Sequence, residues 1–334
     1  MRPQTPVRTN GPPTAWTEEA RLTGEPIDAR TLARFYLPLV ATSYLLTATN
    51  PLLAAALARS SDPATALSGY GVAFSLIGVI YAPLLVIQQV AAQRLLSVGD
   101  LAPVKRFTAV VAVLLSGVAA LVAFTPVGVF IFETVVGVHD RILDEALSAM
   151  TGLWPVPALT GLRALHQGRL VAGHRTQPIA VATGVRTAVL AVVAFALTTT
   201  PAGAWLGAAA FTAGLAAEAV LVTLSPAPTP TVPEATETES EGEDRLLSFS
   251  TPLMLNVMLW WSTPLIINSV LARTPEPDCS IAAFTVVEAV AWFLTAPVGQ
   301  LQHAALALVD SREPHRRVRS FAGLRAAGVT RLLG

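Results

Sequence analysis

Four stretches of this chain, Phe35 to Ala58, Pro63 to Gln93, Phe107 to Phe132 and Leu246 to Ala272, contain no Asp, Glu, Lys or Arg. Each exceeds the roughly 20 residues with which an α-helix crosses a hydrocarbon core. In water, helices apolar on all sides must be buried on all sides; in a bilayer they need only reach across it. Charged residues are 13% of the 334, against the ~25% usual in soluble domains, and the mean hydropathy is +0.57. The pattern is that of an all-α, multi-pass membrane protein.

Eight spans are predicted, at about 35–58, 66–94, 107–132, 143–165, 179–199, 203–224, 247–271 and 281–309. Thr198-Thr199-Thr200-Pro201-Ala202-Gly203 separates the fifth from the sixth, because Pro and Gly punctuate helices. The second and eighth are longer than a bilayer needs, with Pro83 and Pro297 placed to kink them. Basic residues in the short loops orient the chain. With the N-terminus in the cytoplasm of a cell-membrane protein, Arg94, Lys105, Arg106, Arg169, Arg175 and the Arg312 to Arg319 cluster lie inside; only Arg59, Arg141 and Arg273 lie in outer loops. Residues 1–33 are polar, rich in Pro, Thr and Arg, and lack the apolar core of a signal peptide; they are expected to be a disordered cytoplasmic tail. Residues 225–245 carry Glu234, Glu237, Glu239, Glu241, Glu243 and Asp244 and are expected to be an acidic, flexible cytoplasmic linker.

Several function classes find no support. The net charge is +0, which offers nucleic acid no bulk attraction. Lys105 is the one lysine, and no Gly-Lys-Ser/Thr tripeptide forms a P-loop. Cys279 stands alone and the five His are scattered, so no metal site is assigned. A membrane-embedded transferase would want clustered acids on inner loops, and the spans offer none. No catalytic residue is assigned, and the chain is read as a non-enzyme.

The chain repeats itself. At a constant offset of 214 residues, Phe35, Pro38 and Leu39 meet Phe249, Pro252 and Leu253. In the same register Leu57-Ala58-Arg59 meets Leu271-Ala272-Arg273, Ala82-Pro83 meets Ala296-Pro297, Gln88 meets Gln302 and Phe107 meets Phe321. Six spans separate the copies. Six is even, so both copies enter the membrane from the same side, as parallel repeats about an axis along the membrane normal. The expected domains are a six-helix lobe at 34–224 and a partial second lobe at 246–334. That second lobe holds two spans and a basic C-terminal segment, and it looks cut short, because the remainder after Phe321 is too short to cross.

Ionisable groups inside spans are costly and face a partner or a cavity. Glu288 lies in the eighth span, with Thr295, Gly299, Gln302 and His303 within about 60° of it on the helix face. The equivalent stripe of the second span is Phe74, Tyr81, Leu85, Gln88 and Gln89. Glu288 either binds a coupling proton or cation or is a buried carboxylate hydrogen-bonded for packing. Arg186 and Glu218 lie at similar depth in the consecutive fifth and sixth spans. Gly203, Gly207 and Gly214 share the Glu218 face and permit close approach. A structural Arg186–Glu218 ion pair is one reading; Arg186 as an anion-coordinating charge is the other. The first and seventh spans carry hydroxyls and amides, Asn268 among them. Arg163, His166, Arg169, His174 and Arg175 read as a basic inner loop that anchors the topology or attracts phosphate and carboxylate groups. The substrate- or ion-binding candidates are therefore Glu288, Gln302, His303, Asn268, Gln88 and Arg186.

The six-plus-six parallel repeat resembles the multidrug/oligosaccharidyl-lipid/polysaccharide (MATE-like) exporter superfamily. The connection Gly168-Arg169-Leu170-Val171-Ala172-Gly173-His174-Arg175-Thr176-Gln177-Pro178 is similar to that superfamily's Gly-rich turn, with His174 where Gly is common. Tyr70-Gly71-x-Ala73-x-Ser75-Leu76, Trp154-Pro155-Val156-Pro157, Pro264-Leu265-Ile266-Ile267-Asn268 and Glu288-Ala289-Val290-Ala291…Pro297-Val298-Gly299 resemble the progressive ankylosis branch. The resemblance implies a MATE-like six-helix lobe plus the first two helices of a second. It further implies a secondary exporter, by alternating access, of a small, multiply charged anion such as pyrophosphate, citrate or a nucleotide. The alternatives are a MATE-type drug or lipid-linked sugar exporter, or a truncated non-transporting remnant that needs a partner chain. No cofactor is implied beyond a coupling proton or sodium ion. The partners are the lipid bilayer and the solute, with a homo-oligomer or a partner chain completing the second lobe.

Overall fold

Proline and glycine decide where the helices of this chain begin, break and end. The computed structural model describes residues 40, 43–45, 47–97, 101–173, 175, 177–226 and 239–308, with side chains except at 96–97, 239–249 and 297–308. The tail expected at 1–33, most of the linker and the C-terminal segment after 308 lie outside the described residues. The elements are α1 (Thr49–Leu57), α2 (Pro63–Leu85), α3 (Ile87–Ser97), α4 (Ala102–Phe124), α5 (Pro126–Phe130) and a π-helical turn (Ile131–Val136). They continue as α6 (Asp140–Leu153), α7 (Val156–Ala172), α8 (Gln177–Leu197), α9 (Gly203–Leu224), α10 (Glu239–Leu271) and α11 (Pro277–Leu308). The chain divides into two compact units, and the architecture that follows is that of Tyr44–Leu294.

Local chemistry accounts for the ends. Asp62 caps α2, accepting from the Thr65 hydroxyl at 2.8 Å, and Pro63 opens the helix where its missing N–H costs nothing. Pro83 lies inside α2, and the helix gives way to α3 within a turn of it. Thr125 adopts an extended backbone and caps Pro126, so the third span ends at Phe124 and turns into α5. Gly203 opens α9 with φ +52, a left-handed conformation that a side chain would resist. The Glu145 carboxylate of α6 accepts the Ala204 N–H at that same end, an anion against the positive end of the helix dipole.

Besides the third span, expected to reach 132 and ending at Phe124, two further boundaries differ from the sequence reading. The fourth span is not continuous over 143–165: it breaks at Trp154–Pro155 into α6 and α7, and α7 runs on to Ala172. Pro155 removes a helical N–H and its ring obstructs the preceding turn. The linker expected to reach residue 245 is helical from Glu239 onward. Among the described residues, six helices are long and apolar enough to cross a membrane: Pro63–Leu95, Ala102–Phe124, Gln177–Leu197, Gly203–Leu224, Ser250–Leu271 and Pro277–Ala296. The first span is described only through α1, and the fourth is split below crossing length, which reconciles six with the eight expected. Outward-facing side chains are apolar: Val113 and Val192 are 70% exposed and Leu259 73%. Such a surface would be a liability in water and suits contact with lipid. This is an all-α, multi-pass membrane protein.

Its interior is built from α1, α2, α6 and α9, around the fully buried Leu53, Leu57, Ile77, Met150, Leu153 and Leu206. The helices of the second repeat add to this bundle through α2. A Cβ on Gly78 would stand 2.6 Å from Trp261 Cε3 of α10, and one on Gly71 would collide with the Thr285 hydroxyl of α11. The second contact has a particular meaning. Gly71 and Thr285 are 214 residues apart, so each is the repeat equivalent of the other. A residue touches its own equivalent only beside the rotation axis that relates the copies. A parallel repeat in the 214-residue register would have its axis between α2 and α11. Tyr44 packs against Phe293 of α11 at 4.8 Å between ring centroids. The basic residues Arg59, Arg141 and Arg273 gather at one end of the bundle. Arg141 pairs with Asp62 at 2.9 Å, and Arg273 donates to the Val136 carbonyl at 3.1 Å.

Candidate functional site

Glu218 is the buried centre of the site. It sits on α9, a helix of Ala, Gly, Leu and Val on most of its faces, and is 0% exposed. A carboxylate there is tolerable only if its oxygens are filled. Two helices fill them. From α7, Arg163 Nη1 donates to Oε2 at 3.3 Å and Gln167 Nε2 to Oε1 at 3.0 Å. From α8, Arg186 Nη1 donates to Oε2 at 3.1 Å and Thr183 Oγ1 to Oε1 at 3.2 Å. The donors are spaced i, i+4 on α7 and i, i+3 on α8, so each pair shares one helix face. Gly214 lets α8 come this near; a Cβ there would lie 2.8 Å from the Arg186 carbonyl. Two guanidinium groups meet one carboxylate, so the cluster carries one surplus positive charge. The Nε atoms of both arginines are buried without a hydrogen-bond partner. The Arg186 guanidinium also lies 5.1 Å from the Phe211 ring centroid, a cation–π contact.

Both arginines open onto a cavity of about 310 Å³ walled by α2 and α11. Glu218 is not among its lining residues; it holds the guanidinium groups from behind. Tyr70, Phe74, Ser75 and Tyr81 of α2 form one wall, and α1 adds Thr49 and Asn50. Trp261 of α10 and Thr285, Glu288, Ala289 and Trp292 of α11 form the other. The α11 positions follow the i, i+3, i+4, i+7 spacing of a single helix face. Glu288 accepts from the Trp292 indole N–H at 3.4 Å. The hydroxyls of Tyr70 and Thr49 are buried and have no partner, an uncommon state for interior polar atoms.

The sequence candidates separate on this map. Arg186 and Glu288 line the cavity, and Arg186 is ion-paired to Glu218. Asn268 is buried elsewhere: its Nδ2 donates to the Gly71 carbonyl at 3.3 Å and to Ser75 Oγ at 3.2 Å, which ties α10 to α2. Gln88 is half-buried on α3 and does not line the cavity, whose lining from this span ends at Leu85. Gln302 and His303 lie in α11 beyond the described side chains. Arg163 is a correction: it is no loop anchor but a half-buried member of the cluster. The signal for it is present in the sequence, since Thr160, Arg163 and Gln167 make a polar stripe once α7 is extended past residue 165.

Comparison with known proteins fixes the fold more than the family. No protein-family model matches the chain, and no curated protein matches its sequence. Among solved structures it is similar to the MATE multidrug transporter DinF-BH, solved in complex with a ligand, at 14% identity and TM-score 0.60. That alignment covers 83% of this chain and 64% of the other. It is also similar to the inward-facing conformation of a multidrug resistance MATE family transporter of the MOP superfamily. There the identity is 12% and the TM-score 0.59, with 86% of this chain and 68% of that one covered. The chain thus has a MATE-like fold and spans about two thirds of the length of these transporters. The likeness to the progressive ankylosis branch rests on the sequence motifs alone.

Proposed function

We propose that this chain is a secondary transporter that exports a small solute across the cell membrane, its N-terminus cytoplasmic, by alternating access around the cavity. The observation that carries the reading is the cavity itself. It takes its walls from α2 and α11, which meet at Gly71 and Thr285, and gathers Arg163, Arg186 and Glu288, ionisable side chains whose place within a membrane bundle favours a functional role. The MATE-like fold supports it. Rocking one set of helices against the other would open the cavity to either side in turn.

The cargo reading that follows from the progressive ankylosis motifs is a multiply charged anion of the pyrophosphate, citrate or nucleotide type. Arg163 and Arg186 support it, because guanidinium forks suit carboxylate and phosphate oxygens. A MATE-type drug exporter is the second reading. Its support is the aromatic lining with Glu288 on the far wall, together with the multidrug transporters among the structural relatives. Glu288 would serve as the coupling group. A hard metal cation gathers about six oxygen donors, whereas Glu288 is one carboxylate beside an indole N–H, so a proton suits it better than sodium. The third reading, a chain that works only with a second copy or a partner completing the second lobe, predicts no transport by the purified protein alone.

The test is efflux from liposomes reconstituted with the purified chain and loaded with labelled citrate, labelled pyrophosphate or the cationic dye ethidium, under an imposed pH gradient. Efflux above that of empty liposomes, abolished in Glu288→Gln, supports the proposal. Equal efflux from Glu288→Gln removes Glu288 from the mechanism, and no efflux of any solute overturns transport by this chain alone.

A further inference from the structure

Two opposite charges face one cavity without meeting. The Arg163–Arg186–Glu218 cluster presents a surplus of one positive charge from α7 and α8, with Nε atoms that have no partner. Glu288 presents one negative charge from α11, and the donor it accepts from is the Trp292 indole rather than a guanidinium. Tyr70 lines the same cavity, and its buried hydroxyl has no partner. The walls are mainly aromatic and aliphatic, so charges here interact far more strongly than in water. The surplus positive charge and Glu288 cancel, and the cavity as a whole is neutral but bipolar.

That arrangement discriminates between solutes by charge. A simple anion would satisfy the arginines and leave Glu288 repelling it across about 310 Å³ of space. An organic cation would satisfy Glu288 and face the surplus guanidinium charge. A solute that carries both charges satisfies both walls. Resting on the reading of this cavity as a solute site, we propose that it is built for a zwitterion. The carboxylate or phosphate end docks on Arg163 and Arg186. The ammonium end docks on Glu288 against the Trp292 ring, and the Tyr70 hydroxyl serves the stretch between. The cavity holds roughly the space of ten water molecules, enough for a six-carbon amino acid.

Four probes of one chain length test this by isothermal titration calorimetry on the full chain in detergent: 6-aminohexanoate, its isomer norleucine, hexanoate and hexylamine. At least one of the two zwitterions is expected to bind tenfold or more tighter than both hexanoate and hexylamine. In Glu288→Gln that zwitterion falls to the affinity of hexanoate, while hexanoate binding stays or tightens, which shows at once that the cavity remains folded. Hexanoate or hexylamine matching the better zwitterion in the parent chain overturns the proposal, as does failure of all four to bind. A chain that binds 6-aminohexanoate but passes nothing across liposomes refutes the transport reading and leaves this one standing. A chain that exports citrate or ethidium yet prefers a singly charged probe does the reverse.

Discussion

Replacing Glu218 by Gln tests the charge arithmetic of the buried cluster. The substitution keeps the shape and removes one negative charge, so the cluster goes from one surplus positive charge to two. Arg163 and Arg186, which now converge on Glu218 Oε2 at 3.3 Å and 3.1 Å, would then face each other across a neutral amide. Removing one partner of a buried ion pair costs about 3–5 kcal/mol, most of it from the charge left uncompensated. Arg163→Gln works the other way: it takes the surplus to zero and loses one charged hydrogen bond, worth about 1.5–3 kcal/mol. Glu218→Gln is therefore expected to be the more damaging, although Arg163 is the larger and more exposed side chain. The double variant restores a single surplus charge and should recover part of the loss. The measurement is the monodisperse fraction surviving a temperature series in detergent, compared by rank because such unfolding is seldom reversible. A Glu218→Gln chain that melts with the parent would refute the reasoning. So would an Arg163→Gln chain that melts lower than Glu218→Gln, or strict additivity in the double-mutant cycle.

Three further outcomes follow from the packing. Gly78→Ala places a methyl 2.6 Å from Trp261 Cε3 and should cost about 1–3 kcal/mol; Gly117→Ala on α4, which meets nothing within 4 Å, should leave the melting temperature unchanged or slightly raised. Asn268→Ala removes the two hydrogen bonds that tie α10 to α2 and should destabilise by about 1 kcal/mol, interhelical bonds in membranes averaging roughly 0.6 and reaching about 1.7; a cysteine pair across that seam should cross-link less uniformly in the variant. Glu145→Ala uncaps α9 and should cost about 1–2 kcal/mol on the same melting assay, with no change in ligand affinity at the distant cavity.

Much of the helical framework is legible in the sequence because bilayers impose a length and a composition. Hydropathy puts the sixth span at 203–224, and α9 is Gly203–Leu224, since Pro201 and Gly203 leave the helix only one place to start. Equal depth on consecutive antiparallel helices is enough to bring Arg186 and Glu218 together on paper, and they lie 3.1 Å apart. Arg163 reads as a loop residue for an identifiable reason. Arg163, His166 and Arg169 look like the charged edge of a membrane, and ending the helix at residue 165 hides the face that Arg163 shares with Gln167. The break at Trp154–Pro155 restarts the helix and carries Arg163 inward against α9. Gln88 continues the stripe of Tyr81 and Leu85, which both line the cavity, but the cavity ends before it, a limit set by the packing of other helices.

The sequence by itself determined that this chain lives in a membrane and where most of its helices start and stop, because hydropathy and proline are properties of neighbours along the chain. Only the tertiary structure decided which charges share a space. Arg163, Arg186 and Glu218 come from three helices, and Glu288 from a fourth in the other repeat. Their meeting depends on how closely α7, α8, α9 and α11 approach α2 and one another. That approach is set by missing side chains at Gly71, Gly78 and Gly214; the Gly214 face shows in the spacing along its helix, but which helix packs against each glycine is decided across space.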